Sequence, residues 1–251
     1  MPRLSESEFA DSRGIWVLAE ISNGTLHPVS AELLGKAREL ATSRPQRVTA
    51  VAMGSLSDEN FNALAVAGAD DIISVTLPHP EHFKEEERAA VLARLIGQYR
   101  PAVVLAGATI QGRSLLPRVA AIVDCGLTAD CTGLEFDPQT GALLQTRPAF
   151  GGSLMATIRS DEFMPQMATV RPGVMRSIQT TPLHRPRLLS ESLLNSEKCD
   201  RKSIIELMPD ASSSQDFSSA EMIVAGGRGM QGPEGFALLH RFAEAIGGAV
   251  G

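Results

Sequence analysis

The chain has 251 residues, of which 43% are hydrophobic and 21% are charged, and its formal net charge is -6. This length accommodates one or two domains with a well-buried core. The acidic balance and the low aromatic content of 4% disfavour nucleic-acid binding, which needs a basic face or stacking rings. No apolar run approaches the ~20 residues that span a membrane, and residues 1–14 lack the apolar core of a secretory signal.

The three cysteines, Cys125, Cys131 and Cys199, form no CxxC pair and are odd in number. This pattern favours a reduced, cytoplasmic protein. Asp124 and Asp130 lie next to two of the cysteines, but no histidine or second thiol has the spacing of a metal site. We therefore interpret these cysteines as buried small side chains and predict no metal centre.

The first half of the chain alternates short apolar runs with amphipathic helical patterns. Strands are predicted at residues 15–20, 47–53, 71–75 and 102–106, and helices at residues 31–41, 58–67, 84–99 and from Gln111 or Ser114 to residue 121. Ser30 is the predicted cap of the first helix. Runs that are apolar throughout are typical of parallel strands covered on both faces, so we predict an α/β domain with a Rossmann-like, mostly parallel sheet. His79, His82 and the acidic run 85–87 are interpreted as solvated residues.

The pattern changes after Asp124. Strands separated by tight turns are predicted at residues 129–136, 143–146, 153–159 and 167–171, which indicates added hairpin-like, antiparallel strands. Prolines and a serine-rich run mark residues 176–220 as a linker, interrupted by one strand at residues 203–208. The predicted organisation is an N-terminal domain at 1–175, this linker, and the first β-α unit of a second α/β domain at 221–251.

Residues 222–230 read MIVAGGRGM and predict a strand, a glycine turn and then a helix at residues 233–246. Glycines let a ligand approach the backbone, a helix N-terminus favours negative charge, and arginine can pair with phosphate. The turn at residues 226–229 is therefore a candidate cofactor-binding site. The alternative is a tight turn without a ligand.

Several segments together resemble one family. They are GATIQGRSLLPRVAA at 107–121, GLTADCT at 126–132, RPAFGG at 147–152 and ATVRPGVM at 168–175. In this order they are similar to segments of electron transfer flavoprotein alpha subunits, and WVLAE at 16–20 and VAGGRG at 224–229 also fit. The matches follow one another over nearly the whole chain, which makes the combined resemblance specific.

The resemblance implies an N-terminal α/β domain that packs on a beta subunit and a C-terminal domain that binds FAD, with Gly227, Arg228 and Gly229 among its contacts. It implies an electron carrier between flavin dehydrogenases, such as the acyl-CoA dehydrogenases of fatty acid beta-oxidation, and an acceptor. The lack of a catalytic dyad or triad in the sequence fits this role. The segments at 147–152 and 168–175 resemble a bacterial branch that includes electron-bifurcating members.

The family's FAD domain continues past the point where this chain ends. The resemblance therefore implies a truncated alpha subunit that does not hold FAD tightly by itself. One alternative is a cofactor-free domain that only docks the beta subunit. Another is a nucleotide-binding protein that uses the turn at Gly107.

Other polar residues have open interpretations. Arg113 and Arg118 lie on the helix that follows Gly107, at the usual ligand edge of an α/β sheet. We favour a structural ion pair or a subunit contact for both, and a structural role for Thr109 and Gln111. For Arg147, the resemblance suggests a turn that faces the partner subunit or a bifurcating flavin, and a solvated hairpin end is equally consistent.

Overall fold

The computed structural model describes residues 13–22, 24–80, 83–160, 162–180, 185–199, 201, 204–206, 208 and 220–251. The chain divides into two compact units, residues 1–202 and residues 203–251. Each unit is described by itself.

The first unit contains twelve strands and four α-helices among its described residues. The strands are β1 (Ile15–Ala19), β2 (Ile21–Ser22), β3 (Thr25–Leu26), β4 (Val48–Met53), β5 (Asp71–Thr76), β6 (Val103–Gly107), β7 (Leu127–Cys131), β8 (Gly133–Phe136), β9 (Leu143–Ala149), β10 (Leu154–Arg159), β11 (Gln166–Val170) and β12 (Arg187–Ser192). The helices are α1 (Pro28–Ser43), α2 (Asp58–Val66), α3 (Glu85–Tyr99) and α4 (Ile110–Val123), with 3-10 turns at Phe150–Gly152 and Asn195–Glu197.

Seven strands form one parallel sheet in the order β12-β5-β4-β1-β6-β11-β7. Every residue of β4 and β6 is buried, because α1 and α2 pack on one face of the sheet and α3 and α4 on the other. Burial on both faces explains why these strands are apolar at every position but Thr49. The predicted α/β fold with a mostly parallel sheet is confirmed.

The first helix begins earlier than predicted. Helix α1 starts at Pro28, and the His27 ring nitrogen Nδ1 accepts a hydrogen bond of 3.2 Å from the Val29 N–H. A proline suits this position because it has no N–H to satisfy and its φ is already helical. The prediction that Ser30 caps the helix is wrong, since the Ser30 hydroxyl accepts the Glu20 N–H at 2.9 Å instead.

Helix α4 also begins before the predicted start. Its N-cap is Thr109, whose hydroxyl accepts the Gly112 N–H at 3.0 Å, so neither Gln111 nor Ser114 is the first residue. Gly112 is needed at this place, because an added Cβ would lie 1.9 Å from the Gly107 carbonyl oxygen.

The predicted strand at residues 129–136 is two strands in different sheets. Asp130 has a φ of 60°, and the Thr132 N–H bonds the Thr146 carbonyl at 2.8 Å. The chain thereby leaves the large sheet after β7 and enters a three-stranded antiparallel sheet in the order β10-β9-β8. The predicted hairpin of β9 and β10 is present, but β11 is not hairpin-like. It is fully buried and runs parallel between β6 and β7.

Residues predicted as linker contribute a strand to the large sheet. Strand β12 pairs in parallel with β5, from Arg187 opposite Asp71 to Ser192 opposite Thr76. Its sequence, RLLSES, is polar enough for a sheet edge, which is why it resembles a loop. Within the predicted strand at 203–208, residues 204–206 and 208 have no regular structure, and the other positions lie outside the described residues.

The second unit contains β13 (Ile223–Val224), a 3-10 turn (Arg228–Met230), α5 (Pro233–Ile246) and β14 (Ala249–Val250). The two short strands pair in parallel. Gly232 precedes α5 with a φ of 131°, and Gly247 ends it in the left-handed region, so both positions favour glycine. The predicted succession of strand, glycine turn and helix is confirmed.

Candidate functional site

The strand that leads into the glycine turn is held by a short parallel ladder. The Gly226 N–H donates to the Gly251 carbonyl at 3.0 Å, and the Gly251 N–H donates to the Val224 carbonyl at 2.9 Å. An added Cβ at Gly226 would lie 2.2 Å from Cδ1 of Leu239 on α5. A side chain at Gly226 would therefore push the helix away from the strand, so this glycine has a packing role.

The next three residues are open to a ligand. An added Cβ at Gly227 or Gly229 would meet no atom within 4 Å. Arg228 is exposed, and within the described part of the chain its guanidinium has no hydrogen-bond or ion-pair partner. The N–H groups of Arg228 and Gly229 likewise have no acceptor among the described residues. An unpaired arginine and free backbone donors just before a helix form a suitable site for a phosphate or another anion.

The turn at Gly107 in the first unit is filled by protein atoms. An added Cβ at Gly107 would lie 2.8 Å from Val29 Cγ1. The cavity beside Gly107 and Gln111 has a volume of about 20 Å³. This is room for about one water molecule and not for a nucleotide. Thr109 and Gln111 lie just after β6, and Thr109 caps α4, which is consistent with the structural role predicted for it.

The predicted structural ion pair is present for one of the two arginines on α4. Nη1 of Arg118 lies 3.7 Å from Oε1 of Glu86 on α3.

The acidic run at 85–87 is not a solvated turn, since all three residues are partly buried. Lys84 pairs with Glu87 at 3.1 Å, and the same Glu87 oxygen accepts the Cys199 N–H at 3.2 Å.

The other arginine on α4 belongs to a cluster around Asp130. Arg171 donates to both carboxylate oxygens of Asp130, with Nε–Oδ1 at 3.2 Å and Nη2–Oδ2 at 2.7 Å. This hydrogen bonding lowers the pKa of Asp130, and the charges of Arg113 and Arg147 lower it further. The structure thus brings together three arginines that are far apart in sequence. No functional role was predicted for Arg171, although it follows directly after a buried strand.

The β9–β10 hairpin exposes large apolar side chains beside this cluster. Phe150 is 85% exposed, Leu154 58% and Met155 57%. We call the exposed part of this hairpin, together with the neighbouring arginine of α4, the hairpin surface; it includes Arg113, Arg147, Phe150, Leu154 and Met155. Leu154 and Met155 are consecutive, so they lie on opposite faces of β10. Exposed apolar side chains next to arginines are typical of a protein–protein interface.

The three cysteines are free thiols. Burial raises the pKa of Cys125 to about 12, and burial raises that of Cys131 to about 11. Among the described residues, no cluster of three or more His, Cys, Asp or Glu side chains could hold a metal. His82 and His184 lie outside the described residues.

The described helices include none with both the length and the apolar character needed to cross a bilayer.

A parallel sheet covered on both faces, followed by a strand, an open glycine turn and a helix, defines an α/β protein. Residues 15–191 match the family model described as "Electron transfer flavoprotein domain", and residues 216–251 match "Electron transfer flavoprotein FAD-binding domain". The chain belongs to the electron transfer flavoprotein family, among its alpha subunits.

Several curated proteins are similar over almost the whole chain. The electron transfer flavoprotein subunit alpha of Thermoanaerobacterium thermosaccharolyticum is 41% identical over 241 residues, which are 96% of this chain and 73% of that protein. Protein FixB of Clostridium saccharobutylicum is 40% identical over 96% of this chain and 72% of that protein. Subunit LctC of the lactate dehydrogenase (NAD(+),ferredoxin) of Acetobacterium woodii is 40% identical over 95% of this chain and 56% of that protein.

Proposed function

We propose that the chain works as the alpha subunit of an electron transfer flavoprotein, binding FAD through Gly227, Arg228 and Gly229 in a heterodimer with a beta subunit. The observation that supports this most directly is the open, unpaired Arg228 inside the segment that matches the family's FAD-binding domain. Membership of the family supports electron transfer as the activity.

The chemistry of the turn suits a flavin dinucleotide. FAD, when bound, supplies the ring that carries the electrons, and the protein positions it and tunes its potential. A guanidinium can form two parallel hydrogen bonds with a pyrophosphate, or it can stabilise the negative charge that a flavin gains on reduction. The free N–H groups of Arg228 and Gly229 add donors next to the positive end of α5. All these groups favour an anionic ligand.

The hairpin surface is the proposed docking site for the beta subunit. Leaving Phe150, Leu154 and Met155 in water has a free-energy cost that a partner would remove. The arginines of the same surface would pair with acidic groups of the partner, since Asp130 alone cannot neutralise three guanidinium groups. This favours a contact for Arg147 over a solvated hairpin end.

The proposed location is the cytoplasm, because the three free cysteines support a reducing compartment.

The proposed electron donor is a flavoenzyme of the acyl-CoA dehydrogenase type, as in fatty acid beta-oxidation. The name of the LctC relative makes a lactate dehydrogenase an alternative donor. A reduction assay with each purified dehydrogenase would distinguish the two.

The FAD site is tested by co-expressing the chain with a beta subunit of the family and titrating FAD into wild type, Arg228→Ala and the control Arg241→Ala. Arg241 is an exposed arginine of the same unit, on α5. We expect Arg228→Ala to weaken FAD binding about tenfold or more, because a charge-assisted hydrogen bond is lost. Unchanged affinity and unchanged reduction potential in Arg228→Ala would refute the role of this residue.

The alternative is a docking domain that binds the beta subunit without a cofactor. The hairpin surface favours it, since that surface belongs to the first unit and does not depend on the glycine turn. The visible absorbance of the desalted complex separates the two. A flavin band that Arg228→Ala diminishes supports the electron carrier, and a colourless heterodimer supports the docking domain.

A further inference from the structure

A groove of about 820 Å³ lies at the amino ends of strands β1, β4, β5 and β12. This is the edge of the sheet opposite the Gly107 turn and the hairpin surface. We call it the amino-edge groove. Its residues belong to the first unit, whereas the residues of the proposed FAD site belong to the second. Its size lies within the range of about 300–1,000 Å³ that is usual for small-molecule sites.

One row of paired residues crosses the floor of the groove. Trp16 pairs with Thr49, Thr49 with Asp71, and Asp71 with Arg187, each on a neighbouring strand. Residues paired across parallel strands point to the same face, so these four side chains lie side by side. The groove therefore combines an aromatic side chain, a hydroxyl and charged groups on one rigid surface.

The wall beside this row is apolar and aromatic. Ile73 and Leu189 pair on adjacent strands and line the groove, and Tyr99 at the end of α3 lies across from them. The ring centroids of Tyr99 and Trp16 are 6.0 Å apart. Such a wall would contact a planar ring or another apolar group of a ligand.

The charged groups of the groove are mostly positive. The buried carboxylate of Asp71 accepts from Arg47 at 2.6 and 2.7 Å and from Arg187 at 3.1 Å. Arg44 donates to the backbone carbonyl of Gly141 at 2.9 Å. Among the described residues, the guanidinium of Arg13 has no partner. The residues that line the groove thus include four arginines and one acid, a formal charge of +3 on a chain whose net charge is -6. Two carboxylates lie beside this lining, since the charge of Asp70 acts on Arg47 and Glu191 accepts from the Tyr99 hydroxyl.

We propose that the amino-edge groove binds a phosphorylated metabolite of nucleotide size. Its phosphates lie among Arg13, Arg47 and Arg187, and its ring or apolar part lies against Trp16 and Tyr99. Arginines match phosphate because they form two hydrogen bonds at once and stay charged at every physiological pH. The local positive potential in an acidic protein directs an anion to this edge.

Intrinsic tryptophan fluorescence can report ligand binding in the amino-edge groove. Trp16 is its one tryptophan and lines the groove, so a ligand there changes its fluorescence. The experiment titrates pyrophosphate, a nucleoside and the matching nucleoside diphosphate into wild type, Arg13→Gln, Arg187→Gln and the control Arg228→Gln. Arg13→Gln removes no described contact, and Arg187→Gln leaves Asp71 paired with Arg47. Both variants should therefore fold, and their melting temperatures without ligand verify this.

We expect the nucleoside diphosphate to bind more tightly than pyrophosphate or the nucleoside, and each groove variant to weaken it about tenfold. Arg228→Gln should bind like wild type, which separates this site from the FAD site, and FAD titration of the groove variants should be unaffected. The proposal is overturned if no phosphorylated probe changes Trp16 fluorescence or the melting temperature. It is also overturned if Arg13→Gln and Arg187→Gln bind as tightly as wild type, or if pyrophosphate binds as tightly as the nucleoside diphosphate.

Discussion

The Thr109 hydroxyl donates a hydrogen bond of 2.7 Å to Oε2 of Glu20, and it also accepts the Gly112 N–H at 3.0 Å. One hydroxyl thus caps α4 and ties it to the end of β1. Strands β1 and β6 are neighbours at the point where the strand order reverses, which is where α/β sheets usually bind ligands. In this first unit the cavity at that point has a volume of only about 20 Å³, and the Thr109 hydroxyl is bonded to protein atoms.

We expect Thr109→Ala to lower the free energy of unfolding by about 1–2 kcal/mol, because the helix loses its cap. Thr109→Ser is the matched control, since it retains the hydroxyl. Urea unfolding followed by circular dichroism measures both variants. If the serine variant is as destabilised as the alanine variant, the methyl group and not the hydroxyl is the stabilising part.

The parts of the fold that were predictable are those with a local signal. Buried parallel strands such as β4 and β6 are apolar at every position but Thr49, and the glycine turn at 226–229 contains three glycines in four residues. Strand β12 has no such signal. Its six residues are exposed or half-buried, and only pairing with β5 makes them a strand. Tertiary pairing of this kind is not encoded in a local window.

The candidate sites differ in the same way. The turn around Arg228 is continuous in sequence, so it was identified before the structure. The amino-edge groove was not, because Arg13, Arg47, Asp71 and Arg187 come from four separate segments and meet only when the strands align. Likewise, the position of Arg171 beside Asp130 depends on β11 lying next to β7.

Asp71 should make stability depend on pH in the acid range. Burial raises its pKa, but the hydrogen bonds and charges of Arg47 and Arg187 outweigh burial and hold the pKa below its usual value. The stabilisation is therefore fully present above the unfolded-state pKa of about 4 and is lost as pH falls through the lower, folded value. We expect Asp71→Asn to cost about 1–3 kcal/mol at neutral pH and to flatten this acid dependence.

The measurement is urea unfolding of wild type and Asp71→Asn at a series of pH values from neutral to about pH 3, across the titration range of carboxylates. Glu59→Gln, which alters an exposed carboxylate on α2, is the control and should follow wild type. If the stability of Asp71→Asn depends on pH in the acid range as that of wild type does, Asp71 is not the group responsible.

Phe150 should matter for the partner and not for the fold. Its side chain is 85% exposed, so Phe150→Ser should change the melting temperature of the chain very little. If the hairpin surface docks the beta subunit, the same change should weaken the heterodimer by about 2 kcal/mol or more, as for a central aromatic anchor. Ile122→Ser, at an exposed apolar residue of α4, is the control for a general loss of surface hydrophobicity. Equal partner affinity for both variants and wild type in calorimetry would place the interface elsewhere.

The cysteines should differ in reactivity in the native protein. Only the thiolate attacks an alkylating reagent, and a thiol with a pKa of about 12, like that of Cys125, is ionised to the order of one part in ten thousand at pH 8. Cys131 is completely buried and its pKa is about 11, so it is doubly protected. We therefore expect iodoacetamide to modify Cys199 first and the other two only on unfolding. Mass spectrometry of the native protein measures this, and Cys199→Ser should remove nearly all of the early labelling. Early labelling of Cys125 or Cys131 in that variant would show that the first unit unfolds locally around the labelled cysteine far more readily than its packing indicates.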